Sequence, residues 1–306
     1  MTISTAEEHG AVDAFLSRAR DATDRALERA LDELLPAVPA ALAPAVRYAV
    51  LGSGKRFRPA LVLAAYETAG GKDPAIADLA AAVEIVHAYS LVHDDLPCMD
   101  NDDLRRGRPT LHRAFDVRRA TEAGFAMVPV AAAAVVRGAR LLKLPAAAER
   151  EVQLLLFRAA GAGGMIGGQV LDLEASAQEP SRAAMTEIDA RKTGALIAAS
   201  VEIGAVAAGA SRPARAAYRA YGDDVGLAFQ IADDVLDMTA TSEQLGKTPG
   251  KDAKLGKPTF PMLLGVAGAQ REAEQLAERA VAHLAAARVS SPLLASLARF
   301  VVARRS

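Results

Sequence analysis

Apolar residues recur at three- and four-residue intervals through much of the chain. Leu27–Leu34, Leu79–Val92, Val152–Ala160, Ala195–Val206 and Leu276–Leu284 all carry this spacing, which lines one face of a helix. Gly194–Ala208 is apolar nearly all round, the pattern of a helix enclosed by other helices. Period-two alternation bounded by turn pairs is hard to find. Gly52–Arg58, Gly70–Pro74, Arg106–Pro109, Leu144–Pro145, Gln178–Ser181, Ser211–Pro213 and Gly246–Pro261 read as short connections. None resembles a flexible interdomain linker, and no fixed-period repeat is present. The pattern predicts one all-α domain over residues 1–306, with about ten or more helices.

Composition narrows the function classes. Of 306 residues, 51% are hydrophobic, enough for a large core and too many for a mainly disordered chain. Lys and Arg number 36 against 37 Asp and Glu, a net charge of −1 that argues against a general nucleic-acid binder. The lone cysteine, Cys98, excludes an intrachain disulfide and a four-cysteine zinc site. Met1–Ala11 is polar and acidic, without an apolar signal core. The longest uncharged apolar run, Ala123–Val136, contains Pro129, stops at Arg137 and falls short of the roughly 20 residues of a membrane span. A soluble cytoplasmic protein without a membrane span is the expectation.

Charge is clustered rather than spread. Asp94, Asp95, Asp100, Asp102 and Asp103 follow one apolar run; Asp233, Asp234 and Asp237 sit in another. Asp233 and Asp237 are four apart and share a helix face, where like charges repel. Divalent cations are the natural offset, because Mg²⁺ prefers hard oxygen ligands and bridges carboxylates to phosphates. Asp94 and Asp100 would not share a face of a straight helix, but Pro97 should end the helix and let Asp100 fold back beside Asp94. Either cluster alone reads equally well as a solvated helix end. Two of them, each followed by basic residues, point to a polyanionic ligand held through metal, with Arg and Lys on its free oxygens.

The basic blocks are Lys55, Arg56 and Arg58; Arg105, Arg106 and Arg108; Lys192; and Lys247, Lys251, Lys254 and Lys257. Gly54-Lys55 lacks the spacing and preceding strand of a Walker loop. The glycines Gly161, Gly163, Gly164, Gly167 and Gly168 adjoin helical sequence, and close helix packing is their expected role.

Together these segments resemble the trans-isoprenyl diphosphate synthases, the polyprenyl synthetases of the bacterial farnesyl/geranylgeranyl type. Gly54-Lys55-Arg56-x-Arg58-Pro59 is similar to the family's first basic motif. Ala88 to Gly107, with His93-Asp94-Asp95-Leu96-Pro97-x-Met99-Asp100 at its centre, resembles the first Asp-rich motif, in the form with two extra residues. Gly167-Gly168-Gln169-x-Leu171-Asp172, Lys192-Thr193-Gly194, Phe229-Gln230-x-x-Asp233-Asp234-x-x-Asp237 and Leu255-Gly256-Lys257-Pro258-Thr259 follow in the family's order. The match spans roughly Leu51 to Leu264.

The resemblance implies the isoprenoid synthase fold, antiparallel helices around a deep central cavity, in a homodimer. It implies that Asp94, Asp95, Asp100, Asp233, Asp234 and Asp237 hold three Mg²⁺ ions on an allylic diphosphate. Arg105, Lys192, Thr193, Gln230, Lys247 and Lys257 would contact that diphosphate. Gly54, Lys55, Arg58, His87 and Arg106 would hold isopentenyl diphosphate. One departure stands out: Gly124-Phe125 replaces the family's usual Gly-Asp pair, with possible consequences for helix packing, the cavity or the dimer contact. His93 and His112 read as structural.

Product length is a matter of geometry. Tyr89 and Ser90 lie about one turn before Asp94, roughly 6–7.5 Å deeper. A bulky Tyr89 would stop a growing prenyl tail at C15, farnesyl diphosphate, whereas Ser90 would not. The C20 product is the alternative, and plain core packing is the other reading of Tyr89. A non-catalytic subunit of a heteromeric synthase should lack one acidic motif or its basic follow-up, and this chain keeps both. A terpene cyclase would need neither the second complete acidic motif nor the Lys55/Arg58 block.

Overall fold

A computed structural model describes residues 5–175, 181–239 and 259–304, with side chains from Gly10 onward. Its described helices are α1 (Thr5–Leu34), α2 (Ala43–Val50), α3 (Phe57–Thr68), α4 (Ile76–Asp94), α5 (Leu111–Ala114), α6 (Val117–Leu141) and α7 (Ala146–Ala160). They continue with α8 (Met165–Ala175), α9 (Arg182–Asp189), α10 (Ala195–Ala207), α11 (Arg212–Thr239), α12 (Phe260–Leu264), α13 (Val266–Ala286) and α14 (Pro292–Ala303). A 3₁₀ turn covers Leu35–Ala37 and a π-helical turn covers Ala190–Gly194. The all-α expectation holds.

Two helices form the centre. Helix α4 is apolar on every side and packs mainly on α6, with further contacts to α1, α2, α3 and α10. Helix α10, the stretch read as enclosed, is buried along nearly its whole length between α3, α7 and α11. The α4–α6 crossing depends on Gly138, where an added Cβ would lie 2.6 Å from Leu79 Cα.

The few charges buried beside α4 are all paired. Asp78 accepts from Arg29 at 3.0 Å and from Arg137 at 2.7 Å. Glu84 accepts from Arg56 at 2.7 Å, and Arg56 also reaches Asp24 at 2.7 Å and the Gly52 carbonyl at 2.7 Å. Arg56 adopts a left-handed backbone, φ 49°, just before α3. Buried between Asp24, Glu84 and carbonyls, it clamps the 51–56 loop against α1 and α4, a structural role inside the basic motif.

Two expectations need correction. Arg106–Pro109, read as a plain connection, belongs to a small antiparallel hairpin pairing β1 (Leu104–Arg105) with β2 (Arg108–Pro109). Its tip, Arg106-Gly107, has φ 54° and 75°, the double positive φ of a type I′ turn. Two-residue strands carry too little alternation to be read. The other correction concerns apolar length. Ile76–Asp94, Val117–Leu141 and Ala146–Ala175 are long and apolar enough to cross a membrane by length and composition. The uncharged run Ala123–Val136 is part of Val117–Leu141, and all three stretches, the last running through α7 and α8, reach span length only by admitting isolated charges. The Ile76–Asp94 window is 78% buried inside the protein, so its apolarity supplies the core.

Because Leu79 meets Gly138 through its backbone, little relief is open to a larger residue. Gly138→Ala is expected to lower unfolding free energy by about 2 kcal/mol, read from the midpoint of urea denaturation.

Candidate active site

The first acidic cluster is built by the end of α4. The helix stops at Asp94, and the chain through Pro97 curls back over it. Asp100 N–H donates to the Asp94 carbonyl at 2.8 Å, Asn101 N–H to Leu96 at 3.1 Å and Asp102 N–H to Asp95 at 3.3 Å. Asp100 is thereby returned beside Asp94, as the proline predicted. The hairpin then brings Arg105 back onto the cluster. Its Nε donates to Asp95 Oδ1 at 3.1 Å, its Nη2 binds the same oxygen, and Nη2 also reaches Asp102 at 3.2 Å.

Asp94 is half-buried. Burial pushes its carboxyl up to about 6; the charges of Asp100 and Asp95 push the same way, while Lys192 and Arg105 oppose. A hard divalent cation fits this donor set, since it would relieve carboxylates that now repel one another. Among the described residues, no group of three or more His, Cys, Asp or Glu side chains closes around one point tightly enough to hold a metal by itself.

Lys192 comes from the π-helical turn Ala190–Gly194 between α9 and α10, a backbone form concentrated at functional positions. Its Nζ donates to Asp172 of α8 at 2.7 Å. Gly168 makes this approach possible, because a Cβ there would lie 2.2 Å from the Lys192 backbone nitrogen. The expected helix packing holds for Gly168; Gly161, Gly164 and Gly167 meet only the chain just before them, and Gly163 faces open space. Asp189, one residue before this turn, is pushed well above the ordinary range by burial, then by the charges of Asp234 and Asp172. Asp172 of α8 thus contacts Lys192, and Asp189 of α9 lies within its electrostatic reach.

The second cluster lies on α11. Thr193 Oγ1 donates to Gln230 Oε1 at 2.8 Å, and Gln230 Nε2 donates to Asp234 Oδ1 at 2.9 Å. Phe260 N–H, at the start of α12, donates to Asp234 Oδ2 at 3.3 Å. Asp234 and Asp237 are buried. Asp233 faces the other way, into a cavity of about 790 Å³, and accepts from Arg304 at 2.7 Å.

That cavity gathers the remaining basic residues. Gly54, Lys55, Arg58, His87, Arg105 and Arg106 line it together with Thr193, Gln230 and Asp233, and Leu16, Phe57, Leu91, Phe229, Leu236 and Phe300 supply apolar wall. His87 Nε2 stands 3.3 Å from Arg58 Nη1 and 3.5 Å from Arg106 Nη2. Guanidinium groups only donate, so Nε2 carries the lone pair. Burial, followed by the Arg58 and Arg106 charges, pushes His87 well below its ordinary range. It is a neutral acceptor that orients two arginines. Arg106 Nη1 donates to the Ser53 carbonyl at 2.9 Å, across a gap that a Cβ on Gly54 would fill at 2.3 Å. Burial lowers Arg58 to about 10, and it remains a cation at neutral pH.

Tyr89 is buried on α4; its hydroxyl donates to the Ala160 carbonyl at the end of α7, 3.4 Å away. Burial, then the Asp94 charge, pushes this phenol to about 12. Ser90 Oγ donates to the His87 carbonyl at 2.8 Å. Phe125 is 66% exposed on α6 and packs edge-on against His93 at 5.5 Å; it is not among the residues lining the large cavity. His93 and the buried His112, whose Nδ1 meets Thr110 Oγ1 at 3.1 Å, have the packing of structural residues. Lys247 and Lys257 lie outside the described residues. Asp189 was not singled out by sequence reasoning, although it stands only three residues before Lys192; Phe229 was named only as part of the second acidic motif, without a role.

The raised Asp94 carboxyl gives a pH signature for protein kept in chelator. A carboxyl that binds its proton more tightly when folded, about 6 against 3.8, loses stability as pH rises through that window. Asp94→Asn removes the loss. The variant should match wild type near pH 4, gain on it between pH 4 and 6, and be about 1–3 kcal/mol more stable above pH 6. Thermal melts across pH measure this.

A family model described as Polyprenyl synthetase matches residues 39–290. Geranylgeranyl pyrophosphate synthase 4 of Arabidopsis thaliana is 40% identical over 262 residues, 84% of this chain and 69% of the relative. Farnesyl diphosphate synthase of Geobacillus stearothermophilus is 37% identical over 294 residues, 96% of this chain and 98% of the relative. Among solved structures, geranyltransferase from Helicobacter pylori complexed with magnesium and isoprenyl diphosphate aligns with a TM-score of 0.80 and 31% identity, covering 98% of each chain. A family model over most of the chain, whole-length relatives above 30% identity and a shared helical architecture agree: the chain belongs to the polyprenyl synthetase family of trans-prenyltransferases.

Proposed function

We propose that this chain is a Mg²⁺-dependent prenyltransferase that condenses isopentenyl diphosphate with dimethylallyl and then geranyl diphosphate to give farnesyl diphosphate. One observation carries the reading. A single cavity of about 790 Å³ joins Lys55, Arg58 and Arg106 around His87 to Arg105, Thr193, Gln230 and Asp233 on the acidic side. Two polyanionic headgroups with apolar tails need such an arrangement.

The allylic diphosphate belongs on the acidic side. Asp94, Asp95, Asp100, Asp233, Asp234 and Asp237 would hold magnesium, three ions in the expected complement, with diphosphate oxygens as the remaining ligands. Magnesium there would draw electron density from the allylic diphosphate and ease its departure. Arg105 and Lys192, with Lys247 and Lys257, would add positive charge where negative charge develops. Thr193 and Gln230 would orient the leaving group. Lys55, Arg58 and Arg106, steadied by Gly54 and His87, would hold isopentenyl diphosphate.

Once the allylic carbon–oxygen bond breaks, the double bond of isopentenyl diphosphate attacks the cation. A proton then leaves the new adduct, and the released diphosphate takes it. Phe57, Phe229 and Leu91 keep water from the cation. A cytoplasmic homodimer belongs to the same reading, and the exposed Val117, Phe125 and Val128 of α6 offer an apolar face for it.

Tyr89 favours a C15 product. Its buried ring reaches from α4 to the carbonyl of Ala160, and from one turn before Asp94 it would stop a growing tail. A C20 product is the second reading, favoured by the 40% identity to a geranylgeranyl pyrophosphate synthase.

Purified chain supplied with Mg²⁺, isopentenyl diphosphate and dimethylallyl diphosphate should release diphosphate and yield mainly C15 alcohols after dephosphorylation. A chain inert toward C5, C10 and C15 primers refutes the activity. Asp94→Ala and Asp233→Ala should each lower kcat by about 100-fold or more with unchanged circular dichroism; near-wild-type rates in both reject the metal assignment. Tyr89→Ala should shift the product to C20 or longer in radio-chromatography, and unchanged C15 removes Tyr89 from length control.

A further inference from the structure

The C-terminal helix α14 packs on α1, α3, α11 and α13 and ends at Ala303. The next residue, Arg304, turns its side chain back into the site. Its Nη2 donates to Asp233 Oδ1 at 2.7 Å and to the Phe229 carbonyl at 2.9 Å. Its guanidinium lies 3.9 Å from the centroid of the Phe229 ring. That ring is stacked on Phe57 at 5.4 Å. The Arg304 side chain is only 8% exposed, whereas that of Asp233 is 45% exposed. A nearly buried cation thus rests on a carboxylate that solvent can still reach.

This pairing conflicts with the role proposed for Asp233. Mg²⁺ binds carboxylate oxygen directly at about 2.0–2.1 Å in a near-octahedral shell. A guanidinium donating to the same oxygen places a second positive charge beside the ion. Asp233 cannot serve both well.

We propose that Arg304 is a built-in competitor for Asp233, a guanidinium latch that metal-bound diphosphate must displace, so that filling the acidic side releases the chain's C-terminal end. The proposal rests on the assignment of Asp233 as a metal ligand. Linkage makes the effect reciprocal: if metal–diphosphate expels Arg304, the Arg304 contact weakens metal–diphosphate binding by the same factor. Release would also free Phe229 of its guanidinium cover and change the wall of the cavity that Lys55 and Arg58 share. Arg304 caps α14, its N–H on the Phe300 carbonyl at 3.1 Å, and Arg304→Gln keeps that backbone bond.

Calorimetry with inorganic diphosphate at saturating Mg²⁺ tests the latch on the full chain without turnover. Arg304→Gln should bind about fivefold more tightly than wild type, the factor expected from one part-exposed ion pair. Hydrogen–deuterium exchange gives a second readout. The peptide covering residues 300–306 should exchange slowly in wild type alone and faster with Mg²⁺ and diphosphate; in Arg304→Gln it should be fast throughout. Equal or weaker binding by the variant, or slow exchange in saturated wild type, overturns the latch and leaves the enzyme reading standing. If neither wild type nor Arg304→Gln binds Mg²⁺–diphosphate, the metal assignment fails and the latch with it.

Discussion

The site is governed by negative charge collected where a helix least tolerates it. Asp94 ends α4 and Asp95 caps it, and the turn that follows returns Asp100 to the same place. A helix C-terminus already carries partial negative charge, so the macrodipole, burial and neighbouring carboxylates all oppose ionisation of Asp94. The folded chain answers with cations from elsewhere: Arg105 from the hairpin and Lys192 from the π-helical turn. Their attraction offsets only part of the repulsion, since Asp94 still holds its proton more tightly than an ordinary carboxyl. Stability is given up locally at this cluster, which under the proposed function would be recovered when magnesium binds.

The rest of the fold resists that strain. Helix α4 is fixed along its length by apolar packing and by internally neutralised charges, Asp78 with Arg29 and Arg137, and Glu84 with Arg56. Such buried pairs add little net stability but are costly to break singly, so they set the register of α1, α4 and α6. Arg56 links this scaffold to the chemistry. By gripping Asp24, Glu84 and the Gly52 carbonyl, it holds the loop that carries Gly54 and Lys55, and its neighbour Arg58 is left to face the cavity.

What could be read from the sequence was local and periodic. The Asp233–Asp237 spacing, the helix stop at Pro97, the position of Tyr89 one turn before Asp94 and the enclosed character of α10 all follow from the 3.6-residue repeat and from proline's missing donor. Features set by distant partners were hidden. Nothing within the residues near Ala190–Gly194 announces a π-helical turn, which exists because α8 and α11 pack against it. Neither the two-residue strands that aim Arg105 nor the pairing of Arg304 with Asp233 has a local signature. Basic residues of one motif also divided in a way composition could not reveal: Arg56 is held by carboxylates and carbonyls, while Arg58 shares the cavity with His87.

Adjacent aspartates with the same chemistry are held in opposite ways, and this difference organises the site. Asp234 accepts from two uncharged donors, the Gln230 amide and the Phe260 backbone, in a relay that begins at Thr193. Those donors fix the direction of its carboxylate. Asp233 and Asp95 instead carry guanidinium partners, Arg304 and Arg105. Charge-assisted bonds of this kind are stronger than the neutral bonds of the relay. The acidic surface therefore combines a carboxylate oriented by neutral donors with carboxylates that carry guanidinium partners. Under the proposed function an incoming cation–diphosphate unit would meet both kinds of carboxylate, and each arginine it displaced would become a donor to the diphosphate or a segment free to move.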